Sequence, residues 1–116
     1  MGKMRVEKVQ EAIRQEVSKM LLFDVKNPKI HDVSVTGVEV SKDLSYAKIF
    51  VSLYGSKEGR EETWDALNKS VGFFRSEIAE RVRLRYTPEL HFVEDTSAAY
   101  AAHIEELLAK IKKEEK

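Results

Sequence analysis

WDALNKSVGFFRSEIAERVRLR, residues Trp64 to Arg85, sets its apolar side chains at steps of three and four: Trp64, Leu67, Val71, Phe74, Ile78 and Val82. That spacing puts all six on one stripe of a helix, the face that packs on a core. Run straight, such a helix would be roughly 30 Å long, about the width of a small domain. Gly72 sits in its middle, where glycine costs about 1 kcal/mol relative to alanine, so its presence needs a reason. Two readings stay open: a break that turns one helix into two, or close packing of an unbroken helix against a neighbour. Lys69, Ser70, Arg75, Arg81, Arg83 and Arg85 gather around and after the glycine, which shifts the weight toward a break carrying a functional surface.

Upstream, residues 3–22 predict a first amphipathic helix. Val6, Val9, Ile13, Val17, Met20 and Leu21 form its apolar face, and Lys8, Glu11, Gln15 and Lys19 the opposite one. It ends near Phe23–Lys26, before Asn27-Pro28, because proline disfavours helix at the residue preceding it. Lys3 and Arg5 stand at its start, where the helix dipole prefers anions; a polyanion partner or a frayed, solvated terminus accounts for them equally. Ile30–Val40 reads as a strand whose apolar phase slips at Thr36-Gly37, so a bulge is expected there. After the turn Ser41–Ser45, a second strand spans Tyr46–Leu53, with Ala47, Ile49, Val51 and Leu53 inward. Tyr46, Lys48, Phe50 and Ser52 point outward. The short connection makes an antiparallel hairpin. Aromatics on an outer sheet face either stack on bases or are covered by another element.

Tyr54–Glu62 is expected to be a polar loop feeding the central helices, and Tyr86-Thr87-Pro88 to stop them. Leu90–Glu94 then gives a third strand. A last helix over about 97–112, after caps at Asp95-Thr96-Ser97, carries Tyr100, Ile104, Leu107, Leu108 and Ile111 and ends in a frayed tail. The order is α-β-β-α-kink-α-β-α, an α+β layer with a three-stranded mixed sheet and helices on one face. The 116 residues are most simply a single domain.

With no cysteine, disulfides and thiolate chemistry are excluded. No apolar run approaches the roughly 20 residues that cross a bilayer, and no signal-peptide core appears at the start; a soluble, cytoplasmic protein is expected, with no membrane partner. Net charge is formally zero, yet it is unevenly spread. Residues 1–20 hold five basic and three acidic groups, 69–85 five and two, and 86–100 only Glu89, Glu94 and Asp95. Patches of that kind attract phosphate even when the total cancels, although solvated helix faces look similar. His31, His91 and His103 are scattered, and no two lie at helical metal-pair spacing. No nucleophile with a base assembles, so no enzyme, metal, cofactor or small-molecule substrate is expected.

The basic set around the break is what remains. A second helix starting at a tight break offers free N–H groups to phosphate, with Lys69 and Arg75 flanking that seat. Arg81, Arg83 and Arg85 extend a positive track beyond it, through forked donors suited to phosphate. Glu77 and Glu80 dilute the charge, and an ordinary solvated surface with pairing such as Glu77–Arg81 competes with this reading.

The chain also resembles the ribosome-binding factor A family over nearly its whole length. The resemblance is carried by Asn27-Pro28-Lys29-Ile30, by Val33–Ser41 with Asp43-Leu44, by Ala47–Ser52, by Gly72–Ala79 and by Arg83–Phe92. It implies a type II KH-like fold in which a kink at a small residue–x–Gly triplet replaces the Gly-x-x-Gly loop. Ser70-Val71-Gly72 fits that place, with serine where the family more often has alanine. It further implies a non-enzymatic, monomeric assembly factor that binds the free 30S subunit, contacts 16S rRNA, assists its 5′-end processing and is needed in the cold. RNA-binding residues are then expected among Lys3, Arg5, Lys8, Lys69, Ser70, Gly72, Arg75, Arg81, Arg83 and Arg85. The competing function is a protein–protein adaptor that docks a partner on the Tyr46 and Phe50 face or on the last helix.

Overall fold

The computed structural model describes residues 2–96, with side chains from Arg5 onward. The expected last helix and the side chain of Lys3 lie outside the described residues. Helix α1 (Gly2–Lys19) runs into a π-helical turn over Met20–Asp24, closed by the Val25 N–H donating to the Met20 carbonyl at 2.8 Å. Strands β1 (Val33–Val40) and β2 (Tyr46–Leu53) follow, then helices α2 (Lys57–Lys69) and α3 (Val71–Arg81), and strand β3 (Glu89–Glu94). Spatial order in the sheet is β1-β2-β3. The first pair is antiparallel and the second parallel, so the sheet is mixed, as expected.

The bulge falls where the valine phase slips. Val35 pairs with Val51 and Gly37 with Phe50, leaving Thr36 without a register partner. Val33 and Val35 then share a face with the buried Val38 and Val40. That face meets α1 through Val9, Ile13, Val17 and Met20, and meets α2 and α3 through Leu67, Phe74 and Ile78. Phe74 is fully buried and lies edge-to-face on Phe92, with centroids 5.2 Å apart. At the open edge of β1, the Gln10 side chain accepts from the Val40 N–H at 3.0 Å.

Four expectations need correcting. Strand β1 starts at Val33, not Ile30: Asp32 takes a left-handed turn (φ 51°), and Thr63 of α2 donates its hydroxyl to the carbonyls of Lys29 and His31. The loop after β2 is shorter than read, because Ser56 caps α2 through the Gly59 N–H and starts the helix at Lys57. Ser52, expected to point outward, is fully buried, with its hydroxyl donating to the Asp95 carbonyl. Finally, the helix does not reach Arg85. It ends at Arg81, and Val82 is already extended (φ −113°, ψ 117°).

Phe74→Ala should cost about 3–5 kcal/mol, the range for emptying a buried aromatic site. Urea unfolding of the variant is expected to show a sharply lowered midpoint or no folded baseline.

Candidate nucleic-acid interface

The break between α2 and α3 lies at Ser70, two residues before the glycine. Ser70 sits at φ −99°, ψ 6°, the bridge region that helices do not use. Its N–H is shared between the carbonyls of Ala66 and Leu67, while its own carbonyl accepts from the Phe74 N–H. One residue therefore closes α2 and opens α3. Gly72 is not the bend. It is helical and exposed, and a Cβ built on it would meet nothing within 4 Å, so neither close packing nor a left-handed backbone explains it. What it leaves is open backbone beside a helix start with no side-chain cap and no acidic residue in its first turn. A concavity of about 540 Å³ there is lined by Gly72, Arg75, Ser76, Ala79, Arg85 and Tyr86 among others.

The segment after α3 decides where the arginines go. On a helix each step of two turns by about 200°, so Arg81 and Arg85, four apart, would share a face and Arg83 would stand on the opposite one. On an extended chain successive side chains alternate, so Val82 and Leu84 pack against the core while Arg83 and Arg85 stay exposed. The strap runs along the N-terminal half of α1. Arg83, with Val82 and Leu84, shares a groove of about 550 Å³ with Arg5, Lys8, Val9 and Ala12. Arg85 and Leu84 share a second concavity with Arg5, Lys42, Asp43 and Leu44. Arg5 and Lys8 from the first basic cluster of the sequence and Arg83 and Arg85 from the second thus become one strip. Arg85 joins that strip to the concavity beside Gly72.

Lys42 is an addition to the expected set. It rides on the β1–β2 turn, which Asp43 organises: one carboxylate oxygen accepts from the hydroxyls of Ser41 and Ser45 and from the Ser45 N–H. Leu44 takes a left-handed conformation (φ 62°) and packs against the core. The available signal was Ser41-Lys42-Asp43-Leu44-Ser45, whose serines flank an Asp placed to accept from both.

The expected site residues divide by partner. Arg5, Lys8, Arg83 and Arg85 line the strip with no carboxylate in salt-bridge range among the described residues; Arg85 only overlies the Tyr86 ring at 5.6 Å. Lys69 is exposed and paired with Asp65 at 2.9 Å, and it lines none of these three concavities. Arg75 donates from Nε to the Pro88 carbonyl and from Nη2 to that of Thr87. Arg81 is tied down most: its guanidinium lies 2.8 Å from Asp24, 3.5 Å from Glu77 and 3.7 Å from Glu16, and its side chain is only 26% exposed. The two histidines among the described residues lie elsewhere. His31 contacts Asp32, and His91 stacks on Tyr46 at 4.3 Å on the outer sheet face.

Fold and groove place the chain among KH-like α+β domains. The family described as ribosome-binding factor A matches residues 5–108, and the chain belongs to that family. Ribosome-binding factor A of Desulforamulus reducens is 49% identical over 111 residues, covering 96% of this chain and 92% of that protein. The crystal structure of ribosome-binding factor A from Thermus thermophilus superposes with a TM-score of 0.59 at 23% identity, covering 81% of this chain and 94% of that one. A homology model of the Thermus thermophilus factor, fitted into the cryo-EM map of a 30S complex, gives 0.57 at 24% identity over 78% and 91%.

Two outcomes are expected of this geometry. Gly72→Ala should keep the break, since Ser70 makes it, and raise the unfolding free energy by about 0.5–1 kcal/mol, read from urea titration. Asp43 is held down to about 2 by the hydroxyls of Ser45 and Ser41, below its unfolded value of about 3.9. Its stabilising contribution is therefore full above about pH 4 and fades as pH falls toward 2. Thermal midpoints of the wild type and Asp43→Ala should differ at about pH 5 and converge near pH 2.

Proposed function

We propose that this chain is a ribosome assembly factor that binds the free 30S small subunit, contacts 16S rRNA through the strip along α1, and assists maturation of the 5′ end without itself catalysing a reaction. Two supports are independent. Family membership supplies the ribosome: a relative's coordinates are fitted into a 30S complex, and the matching proteins are described as ribosome-binding factors. The observation that carries the RNA contact is the gathering of Arg5, Lys8, Lys42, Arg83 and Arg85 on one face of a chain whose formal charge is zero. Arginine forks and a lysine beside them suit phosphate oxygens.

Such a surface reads backbone path rather than base identity. Grooves lined mainly by aliphatic side chains and cations, with the Asp43 carboxylate and the Tyr86 ring at one end and no Gly-x-x-Gly clamp in the sequence, offer charge and shape more than a set of base-edge partners. The open backbone at Gly72, between Ser70 and Arg75, adds a place where a phosphate can approach α3 closely. The factor acts in the cytoplasm, as a monomer, and needs no cofactor.

Sucrose-gradient sedimentation with purified bacterial 30S, 50S and 70S particles tests this directly. Binding is expected to 30S. If about five phosphates are neutralised, affinity should fall roughly 100- to 500-fold between 50 and 200 mM monovalent salt. Arg83→Glu/Arg85→Glu should abolish co-sedimentation while leaving the thermal midpoint unchanged. Normal co-sedimentation of that variant would defeat the proposal. Binding that survives nuclease and high salt would favour a protein-docking adaptor instead.

A further inference from the structure

Arg81 sits at the hinge between α3 and the strap, and its surroundings differ from those of every other arginine near the groove. Three carboxylates converge on it: Glu77 one turn back on α3, Glu16 on α1, and Asp24 at the end of the π-helical turn. Side-chain exposures of 26% for Arg81, 23% for Glu16 and 29% for Glu77, with Asp24 more open at 39%, show a network enclosed on the α1 and α3 sides, where an ion pair is screened less than on an open surface. The rigid planar fork of arginine holds several carboxylates in a fixed geometry that a lysine ammonium on its flexible stem does not reproduce.

The next residue, Val82, is where the chain turns from helix to extended strand. Beyond the exposed Arg83 and Arg85, the strap is held again by the Arg75 guanidinium on the carbonyls of Thr87 and Pro88. The strap is therefore pinned at both ends and bears its two open cations between the pins.

We infer that Arg81 is a positioning residue rather than an RNA contact: its clasp on Glu16 and Asp24 fixes the start of the strap against α1 and so sets where Arg83 and Arg85 stand along the groove. This rests on the RNA-binding reading of the strip proposed above. It reverses a simple electrostatic expectation. Removing an acidic charge from a nucleic-acid-binding protein normally tightens binding. Here, neutralising Asp24 releases Arg81, loosens the strap and weakens binding.

The test uses the full chain and purified 30S subunits. Asp24→Asn is expected to lower 30S affinity roughly 3- to 10-fold, to leave the slope of log K against log salt at its wild-type value, and to speed amide hydrogen exchange at Val82, whose N–H donates to the Ile78 carbonyl at the start of the strap. Loss of a direct phosphate contact would instead reduce that slope by about 1. Arg81→Lys should resemble Asp24→Asn, because its charge remains while its fork is lost. Glu16→Gln provides the same measurement should Asp24→Asn melt below the assay temperature. Unchanged or tighter binding by the folded carboxamide variants overturns the inference, as does a reduced salt slope for Arg81→Lys. Arg83→Glu/Arg85→Glu runs alongside as the reference. If it too binds like wild type, the RNA-binding reading has failed. If it alone loses binding, only the positioning role has.

Discussion

Parallel pairing of β3 with β2 is the constraint from which most of this architecture follows. Two parallel neighbours cannot be joined by a hairpin; the chain must leave one end of the sheet and return to the other. Here β2 ends at Leu53 and β3 begins at Glu89, beside Tyr46 at the opposite end of β2. Helices α2 and α3 cover the sheet on the way, with Phe74 seated on Phe92. Yet α3 stops at Arg81, and the remaining distance is covered by a strap that leaves the helix extended at Val82 and bends at Arg85-Tyr86. A path that is extended, and packed on one side by Val82 and Leu84, must display Arg83 and Arg85 on the other. The cationic strip is thus a by-product of how the sheet is closed.

Charge in this protein is sorted by partner more than by number. Twenty basic and twenty acidic side chains cancel over the chain, but the acids are not spread evenly among the bases. Glu16, Asp24 and Glu77 converge on Arg81, Asp65 pairs with Lys69 and Glu11 with Arg14. Glu11 is held down to about 2, chiefly by the hydrogen bond from Arg14. Around the groove, the cations that these pairings leave over are those of the strip along α1 and the strap. Local field in a groove depends on such leftovers and on the low-dielectric walls around them, which is why a chain of zero formal charge can still present a locally cationic face.

Much of this was legible beforehand. Periodicity located α1, the hairpin and the stripe from Trp64 to Val82, and the slip in valine phase located the bulge, because apolar burial dictates both periods. The basic groups at the two ends of the strip were visible as composition. Less legible was anything that depended on which of two periods would win. Trp64–Val82 satisfies a helical repeat as far as Val82, but Val82-Arg83-Leu84-Arg85 also satisfies a strand repeat, and packing against the core selected the latter. Gly72 attracted the expectation of a bend because glycine breaks helices in general; the break does fall in the Ser70-Val71-Gly72 triplet that the family resemblance marked, but it is the hydrogen bonding of Ser70 that makes it. For Arg81 only the i,i+4 pairing with Glu77 was visible; Glu16 and Asp24, which complete its enclosure, are remote in sequence. Lys42 was overlooked because a turn lysine looks like any solvated one until the strap is laid beside it.

Strand β1 forms one outer border of the sheet, with the chemistry to recruit a further strand from another molecule. Two details described above blunt that border. The bulge at Thr36 interrupts its register, and the amide of Gln10 occupies the Val40 N–H that an incoming chain would need. A small domain with an open sheet border has to avoid templating on its own copies. Here Gln10, which takes up the Val40 N–H, stands on the same helix as Arg5 and Lys8, so the cationic strip and the blunted strand border are built from neighbouring turns of one helix.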